Sequence, residues 1–282
     1  MYDELRKRGT SALRRMDLNI AIAGHRIEAE RHGPPPDLAP TLVLLHEGLG
    51  CVSMWRDFPG ALAARTGYGV LVYSRPGYGR SDPAARPAAL HYMDQEAFEV
   101  LPAVLDQATV RKAVLVGHSD GASIATIYAG GAQDFRVRGL VLMAPHFFVE
   151  DLSIRSILAA KEAYELGDLR ERLARHHGGN VDTAFYTWNS AWLDPGSRSW
   201  RLDDRLAHVR VPILIVQGAD DQYGTTAQIA VAEQETYCPV DALVLNDCRH
   251  SPHLDQPDAT LAAIADFAYR VLTVHEGFIP AA

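Results

Sequence analysis

Short apolar runs rich in β-branched residues recur along this 282-residue chain and alternate with longer stretches in which apolar residues follow helical spacing. Runs of this length and composition predict strands that are buried on both faces. The predicted strands are residues 41–45, 70–73, 113–116, 140–143, 211–218 and 242–245. The stretches at 54–65, at 94–107 and after residue 121 predict helices. This alternation indicates an α/β fold with a parallel sheet and helices on both of its faces.

Two segments depart from the alternation. Residues 18–22 and 26–31 predict an antiparallel hairpin that turns at Gly24 and His25. From residue 146 to residue 208 no strand is predicted, helical spacing takes over, and three tryptophans occur. We therefore expect a core domain made of residues 1–145 and 209–282, with residues 146–208 inserted between two core strands as a helical cap.

The sequence Gly-His-Ser-Asp-Gly at residues 117–121 joins a predicted strand directly to a predicted helix. A Gly-x-Ser-x-Gly at such a turn is the signature of a nucleophile elbow, in which strained backbone holds the serine above the sheet. The flanking glycines suit a turn that is too tight for neighbouring β-carbons. Ser119 is therefore the candidate nucleophile.

Candidate acid and base residues follow later strands in the order expected for a Ser…Asp…His triad. Asp220 and Asp221 come directly after a buried strand, and His250 follows the last predicted strand. Because ligands of open α/β sheets bind outside the carboxyl ends of the strands, all three groups can meet at one edge. Alone, Asp221 would more commonly be a turn residue and His250 a surface residue. Their order after Ser119 favours a catalytic role.

The chain resembles the α/β-hydrolase family over nearly its whole length, and within it the serine-nucleophile branch of esterases and carbon–carbon bond hydrolases with a helical cap. Besides the elbow, the matching segments are residues 44–50, 73–81, 217–221 and 249–257. The second is similar to D-x-R-G-x-G-x-S and the last to G-H-x-P-H-x-E-x-P. Departures from these patterns occur at Ser74, Pro76, Arg249 and Asp255. The resemblance implies a mostly parallel eight-stranded sheet with an inserted cap.

The resemblance also implies the roles of the triad residues. Ser119 would be the nucleophile and His250 the general base. The family places its acid three residues after a strand-terminal glycine, here Gly218, which favours Asp221 and leaves Asp220 as the alternative. Attack of the serine on an acyl carbon would form an acyl-enzyme, which water activated by His250 would release.

The oxyanion hole implied by the resemblance consists of the backbone N–H groups of Gly48 and Asp120, each lowering the barrier by about 3–4 kcal/mol. Glu47 stands where the family usually has glycine, so two carboxylates lie beside the expected donors. Unscreened negative charge would oppose a developing oxyanion. We expect these carboxylates to point away, to be paired by a cation such as Arg75 or Arg80, or to face a cationic substrate. A structural role, as a salt bridge or a helix cap, is the preferred interpretation.

Charge and cysteine content indicate which classes of partner and which cellular compartment to expect. A net charge of −8 without a basic stripe argues against nucleic acid or an anionic membrane as a partner. Three cysteines without metal-ligand spacing and the lack of a secretory signal predict a cytoplasmic protein with reduced thiols. We expect a small-molecule substrate, no metal and no cofactor. A homodimer is left open.

Residues at the rim of the sheet and in the predicted cap are the candidates for substrate contact. Beside Glu47, they are His146 and Phe147, which follow a strand end, and Trp188 and Trp192 in the cap segment. Aromatic residues at helical spacing more often pack in a core, but an apolar, aromatic-lined cleft is the ordinary form of such a substrate site.

The leading function is therefore a serine hydrolase that cleaves a small carboxylic ester or lactone. Within the same fold, the sequence leaves open a carbon–carbon bond hydrolase of ring-fission diketones and a cofactor-free perhydrolase. A serine at the elbow, instead of an aspartate, argues against dehalogenases and epoxide hydrolases. From another class, a non-catalytic ligand-binding protein on this fold is the alternative, because fold does not determine function.

Overall fold

An eight-stranded sheet runs through the protein, described here from a computed structural model that covers residues 15–85 and 89–273. Its strand order is β1-β4-β6-β5-β7-β8-β9-β10, and β2 and β3 form a separate hairpin. The strands are β1 (Met16–Asp17), β2 (Ile20–Ile22), β3 (His25–Ile27), β4 (Ala29–His32), β5 (Thr41–Leu45), β6 (Gly69–Tyr73), β7 (Ala113–His118), β8 (Val137–Met143), β9 (Ile213–Gly218) and β10 (Val240–Leu245). Strands β1, β4 and β6 pair antiparallel and the other neighbours pair parallel, which confirms the predicted sheet.

Helices cover both faces of this sheet. They are α1 (Phe58–Thr66), α2 (Tyr92–Gln95), α3 (Leu101–Gln107), α4 (Asp120–Gly131), α5 (Asp151–Glu165), α6 (Leu169–His177), α7 (Val181–Leu193), α8 (Asp203–His208), α9 (Ala227–Glu235), α10 (Pro252–Asp255) and α11 (Pro257–Thr273). A π-helical stretch, Glu96–Val100, joins α2 to α3. Alternate residues of β5 belong to different hydrophobic clusters: Val43 packs with the side of α3 and α4, whereas Leu42 and Leu44 pack with the side of α1 and α11. This explains why the strand is apolar at every position.

The N-terminal hairpin is shorter than predicted. Strands β2 and β3 pair around a turn at Ala23 and Gly24, whose φ angles of 50° and 85° suit a tight hairpin turn. The chain then leaves the hairpin, and β4 joins the main sheet beside β6. The predicted strand 26–31 is therefore two strands, each with a different partner. Helix α1 also begins later than predicted, at Phe58, with Pro59 in its first turn, where proline is well tolerated.

The chain between β8 and β9 contains α5, α6, α7 and α8, so the segment expected to form a cap is helical. Helices α5, α6 and α7 pack against one another, and Trp188 and Trp192 of α7 are buried. None of the helices in the described residues is long and apolar enough to cross a membrane.

The register of the parallel strands brings four loops to one edge of the sheet. The residues paired at this edge are Leu45 with Gly117, His118 with Met143, and Leu245 with Gly218. The loops that follow β5, β7, β9 and β10 therefore leave the sheet side by side. They carry Gly48, Ser119, Asp221 and His250, respectively.

Candidate active site

Ser119 lies at the turn between β7 and α4 in a strained backbone conformation, with φ 52° and ψ −116°. Positive φ is rare for residues other than glycine and persists only where the surroundings enforce it. A β-carbon at Gly117 would lie 2.3 Å from the Gly121 carbonyl oxygen, and one at Gly121 would lie 2.0 Å from the Leu45 oxygen. Both glycines are therefore required by close packing, and the arrangement is that of a nucleophile elbow.

His250 lies between the serine and an aspartate. Its Nε2 is 2.9 Å from the Ser119 hydroxyl oxygen, and its Nδ1 is 2.9 Å from each carboxylate oxygen of Asp221. Because a carboxylate can only accept, Nδ1 carries the proton and donates to it, and Nε2 is left to accept the serine proton. Burial by itself would raise the pKa of Asp221, but the hydrogen bond and charge of His250, together with the Tyr223 N–H, outweigh it and lower the pKa to about 2.

Asp221, rather than Asp220, faces His250. The Asp220 side chain is exposed, whereas Asp221 is held from three sides: its carboxylate accepts from the Gln217 amide at 2.8 Å, from the Tyr223 N–H at 2.8 Å and from the Gly224 N–H at 3.3 Å. Gln217 was not among the residues predicted for this site. The sequence feature that could have indicated its role is a polar residue at the carboxyl end of an otherwise apolar buried strand.

The two expected oxyanion donors both line the cavity that contains Ser119. Asp120 is the first residue of α4, so its N–H has no intrahelical acceptor, and the positive end of the helix dipole lies here. Gly48 lies in the loop after β5, against the indole of Trp188, which is so close that a β-carbon at Gly48 would be 2.0 Å from Trp188 Cδ1.

The Asp120 side chain is fully buried and has three polar neighbours. One carboxylate oxygen accepts from the Tyr92 hydroxyl, and the other accepts from the Trp192 indole N–H at 3.1 Å. Arg75 Nη1 lies 3.9 Å from the carboxylate, and the Arg80 side chain is exposed. Burial raises the pKa of Asp120, and the Arg75 cation opposes that rise. The geometry thus agrees with the salt-bridge interpretation, with Arg75 as the cation.

Glu47 has a histidine as its neighbour. Its carboxylate lies 3.6 Å from His118 Nδ1, and His118 Nε2 is 2.7 Å from the carbonyl oxygen of His250. Burial opposes both charges, yet the Glu47–His118 pair lowers the pKa of Glu47 and raises the pKa of His118. His118 is the variable residue of the elbow motif, and the sequence offered no signal that it would join Glu47 to the loop of His250.

A cavity of about 240 Å³ opens above Ser119. Of the residues predicted to contact substrate, Glu47, His146, Trp188 and Trp192 line it. Further lining residues that were not predicted as contacts are Leu49, Met54, His118, Ser153, Ile157, Leu169, Leu173, Gln222, Tyr223 and Ser251. The helical spacing of the cap segment indicated an apolar face there, but it did not show what that face covers.

Phe147 does not line the cavity, in contrast to the prediction. Its side chain is fully buried in the hydrophobic core, and its N–H donates to the Gln228 side chain at 2.7 Å. The preceding residue, His146, faces the cavity, with its ring 5.8 Å from that of His250. Burial lowers the pKa of His146 to about 3, so this ring is neutral at physiological pH.

Three further histidines, which do not line this cavity, contact other parts of the protein. His176 Nδ1 is 2.9 Å from the Ser53 hydroxyl, and His177 accepts from the Gly79 N–H at 3.0 Å. His253 packs against the ring of Trp55, with centroids 4.7 Å apart. Within residues 15–85 and 89–273, no group of three or more histidine, cysteine or acidic side chains is arranged to hold a metal ion.

The chain belongs to the alpha/beta hydrolase family, whose family model matches residues 42–263. The proline iminopeptidase of Lactobacillus helveticus is 23% identical to it over 86% of this chain and 92% of the relative. The crystal structure of a bacterial membrane phospholipase A superposes with a TM-score of 0.74 at 19% identity, covering 97% of this chain and 91% of that one. A 2-hydroxy-6-oxo-6-phenylhexa-2,4-dienoate hydrolase from Rhodococcus superposes with a TM-score of 0.72 at 14% identity, covering 90% and 98%. At these identities, the solved structures establish a shared fold.

Proposed function

We propose that this protein is a serine hydrolase that cleaves a small carboxylic ester or lactone through an acyl-enzyme on Ser119. The observation that carries the proposal is the position of His250, which is within 2.9 Å of both the Ser119 hydroxyl and the Asp221 carboxylate at the floor of a cavity. A nucleophile, a base and a group that orients the base are the parts required for covalent acyl transfer.

The proposed reaction begins as Ser119 Oγ attacks the acyl carbon and its proton passes to His250 Nε2. The carbonyl electrons move to the oxygen, which becomes an oxyanion facing the Gly48 and Asp120 N–H groups. As this intermediate collapses, the bond to the alcohol oxygen breaks, and that oxygen takes the proton from His250. Water then attacks the acyl carbon, gives a proton to His250, and displaces Ser119, which recovers its proton as the acid is released.

The lining of the cavity supports an uncharged acyl group. Apolar residues such as Ile157, Leu173 and Trp188 form much of the wall, and His146 is held neutral by burial, which lowers its pKa. Neither arginine nor lysine lines the cavity among the described residues, whereas the Glu47 carboxylate does. His118 lines the cavity as well, but its ring already faces the Glu47 carboxylate. The lining therefore disfavours anionic substrates, because a buried anion without a cationic partner is costly. A dienoate carrying its own carboxylate is for this reason the weaker candidate.

The proposal can be tested with a fluorophosphonate probe and a panel of p-nitrophenyl esters of increasing acyl length. We expect covalent labelling on Ser119, prevented by a competing ester and lost in Ser119→Ala, together with turnover of short to medium acyl chains. A ring-fission diketone assayed beside the esters separates the two chemistries. Faster turnover of the diketone would favour the carbon–carbon hydrolase, and an unlabelled, inactive protein would favour a binding function.

A further inference from the structure

Arg75 is a buried cation that lies behind the expected oxyanion hole. It follows β6, is 2% exposed, and packs over the ring of Tyr78 at 4.5 Å. Its Nη2 donates to the Glu47 carbonyl oxygen at 2.9 Å, and its Nη1 lies 3.9 Å from the Asp120 carboxylate. Nε and Nη1 have no hydrogen-bond partner among the described residues. Burying a guanidinium with unpaired nitrogens carries a desolvation cost, which the nearby Asp120 carboxylate offsets in part.

The contact with Glu47 acts on the peptide group that precedes Gly48. The Glu47 oxygen accepts three hydrogen bonds: from Arg75, from His46 Nδ1 at 2.8 Å and from the Gly50 N–H at 3.1 Å. The tautomer of His46 is defined, because its Nε2 accepts from the Arg75 N–H at 3.1 Å and its Nδ1 must therefore carry the proton. In a trans peptide, the N–H points opposite to the C=O. Fixing the oxygen on the Arg75 side therefore turns the Gly48 N–H away from Arg75.

These three donors also change the strength of the Gly48 N–H. Hydrogen bonds in a chain polarise one another, and a cationic donor on the carbonyl oxygen draws electron density out of the whole amide. The N–H of the same amide then becomes a stronger donor. An oxyanion that forms next to it benefits only when its charge develops, that is, in the transition state.

The contact with Asp120 acts on the second expected donor. Both carboxylate oxygens of Asp120 accept hydrogen bonds, from Tyr92 and from Trp192, as an ionised carboxylate does. This negative charge belongs to the residue whose own N–H faces the oxyanion, and in a buried site it would destabilise that oxyanion. Arg75 is the cation beside it at 3.9 Å and offsets the charge.

We propose that Arg75 is a positioning residue of the oxyanion hole: it orients and polarises the Glu47–Gly48 peptide and offsets the Asp120 charge beside the second donor. The inference rests on the proposed function, since it assumes that an oxyanion forms at Ser119. It predicts that Arg75 acts on the transition state through two backbone N–H groups, without touching the substrate.

The test uses Arg75→Met, which removes the charge, and Arg75→Lys, which keeps the charge but loses the forked geometry. For Arg75→Met, we expect kcat to fall about 10- to 100-fold, less than the loss of a whole oxyanion donor, with KM changed by less than about threefold. Arg75→Lys should lose less. In the Arg75→Met background, Asp120→Asn should restore about threefold or more of kcat, because it removes the uncompensated carboxylate.

A pair of inhibitors distinguishes a loss of oxyanion positioning from general damage to the folded site in Arg75→Met. A trifluoromethyl ketone forms an oxyanion adduct with the serine, and the matching methyl ketone resembles the ground state. In Arg75→Met, we expect the trifluoromethyl ketone to bind weaker by the same factor as the loss in kcat/KM, with methyl ketone binding unchanged. Equal weakening of both ketones would overturn the proposal, as would an unchanged kcat. If Arg75→Met does not fold, the same comparison in Arg75→Lys decides.

The rate of labelling by a fluorophosphonate distinguishes failure of this inference from failure of the proposed function. Labelling of wild-type Ser119 with a slower rate in Arg75→Met supports both. Labelling at equal rates in the two proteins overturns the role of Arg75 and leaves the hydrolase proposal intact. A wild-type protein that is not labelled overturns both.

Discussion

The indole N–H of Trp192 donates a hydrogen bond of 3.1 Å to the carboxylate of Asp120. Trp192 belongs to α7, in the segment between β8 and β9, and Asp120 follows the candidate nucleophile directly. This contact ties the helical segment to the elbow and uses one oxygen of a carboxylate that could otherwise attract a substrate. Glu47 is therefore the carboxylate that can influence substrate charge, with 23% of its side chain exposed at the cavity.

The first prediction concerns substrate charge. The protein should prefer a neutral acyl ester to an anionic one of equal length by about tenfold or more in kcat/KM, where tenfold corresponds to about 1.4 kcal/mol. Glu47→Gln should reduce this ratio, because it removes the negative charge that lines the cavity. Asp120→Asn is the matched control and should leave the ratio unchanged. The ratio is the measurement, since both variants can change the absolute rates. A ratio that responds to Asp120→Asn instead would show that Asp120 faces the substrate.

The second prediction separates the two neighbouring aspartates. Asp221→Asn should lower kcat by about 10²- to 10⁴-fold, because the amide can no longer hold His250 in the required tautomer. Asp220→Asn should stay within about twofold of wild type, since its side chain is exposed and the hydrogen bonds of the His250 ring go to Asp221 and Ser119. Steady-state kinetics on one ester measures kcat for both variants. A larger loss in Asp220→Asn than in Asp221→Asn would assign the acid to Asp220.

The third prediction is that Ser119 and His250 act as one catalytic unit. Ser119→Ala and His250→Ala should each remove most of the activity, and the double variant should lose little more, because the two groups act in a single step. Losses that multiply in the double variant would mean that Ser119 and His250 act independently, which the 2.9 Å contact between them argues against.

The fourth prediction concerns stability in acid. Burial lowers the pKa of His253 to about 3, whereas the unfolded chain has the ordinary value near 6.5. The unfolded state therefore binds the proton first. Stability attributable to the neutral ring is fully present above about pH 6.5 and is lost as the pH falls towards 3. Between pH 7 and pH 5 this amounts to about 2 kcal/mol.

His253→Phe should remove that part of the pH dependence, because a phenyl ring can occupy the apolar surroundings beside Trp55 without titrating. Urea unfolding at pH 7 and at pH 5 measures the difference for wild type and variant. His146 has a similarly lowered pKa and should account for a second part that persists in the variant. Equal losses of stability in both proteins would contradict the assignment to His253.

Much of the site could be predicted because it depends on strand ends. Parallel strands place their carboxyl ends at one edge, so the order of Ser119, Asp221 and His250 along the chain was enough to predict that they meet. The residues of β5 were predicted with their observed bounds, Thr41–Leu45, because a strand buried on both faces is apolar throughout. The choice of Asp221 over Asp220 agrees with the observed contacts, although it came from a resemblance.

The parts of the site that were not predicted depend on contacts between loops that are far apart in the sequence. Local sequence patterns do not encode such contacts. The turn of the chain after β8 decides whether His146 or Phe147 faces the cavity. At this turn, one residue lies at the cavity and the next lies in the core. The pairing of Glu47 with His118 joins two loops from different strands. The burial of Arg75 was equally hidden, since the sequence offered Arg75 and Arg80 as equivalent cations.

The most direct test of the account is to trap the acyl group on the protein. Wild-type protein should be mixed with its best p-nitrophenyl ester, quenched in acid during turnover, and digested for peptide mass spectrometry. We predict an acyl group on the peptide that contains Ser119, with neither acyl group nor turnover in Ser119→Ala. Turnover that persists in Ser119→Ala, or an acyl group found on another residue, would contradict the mechanism.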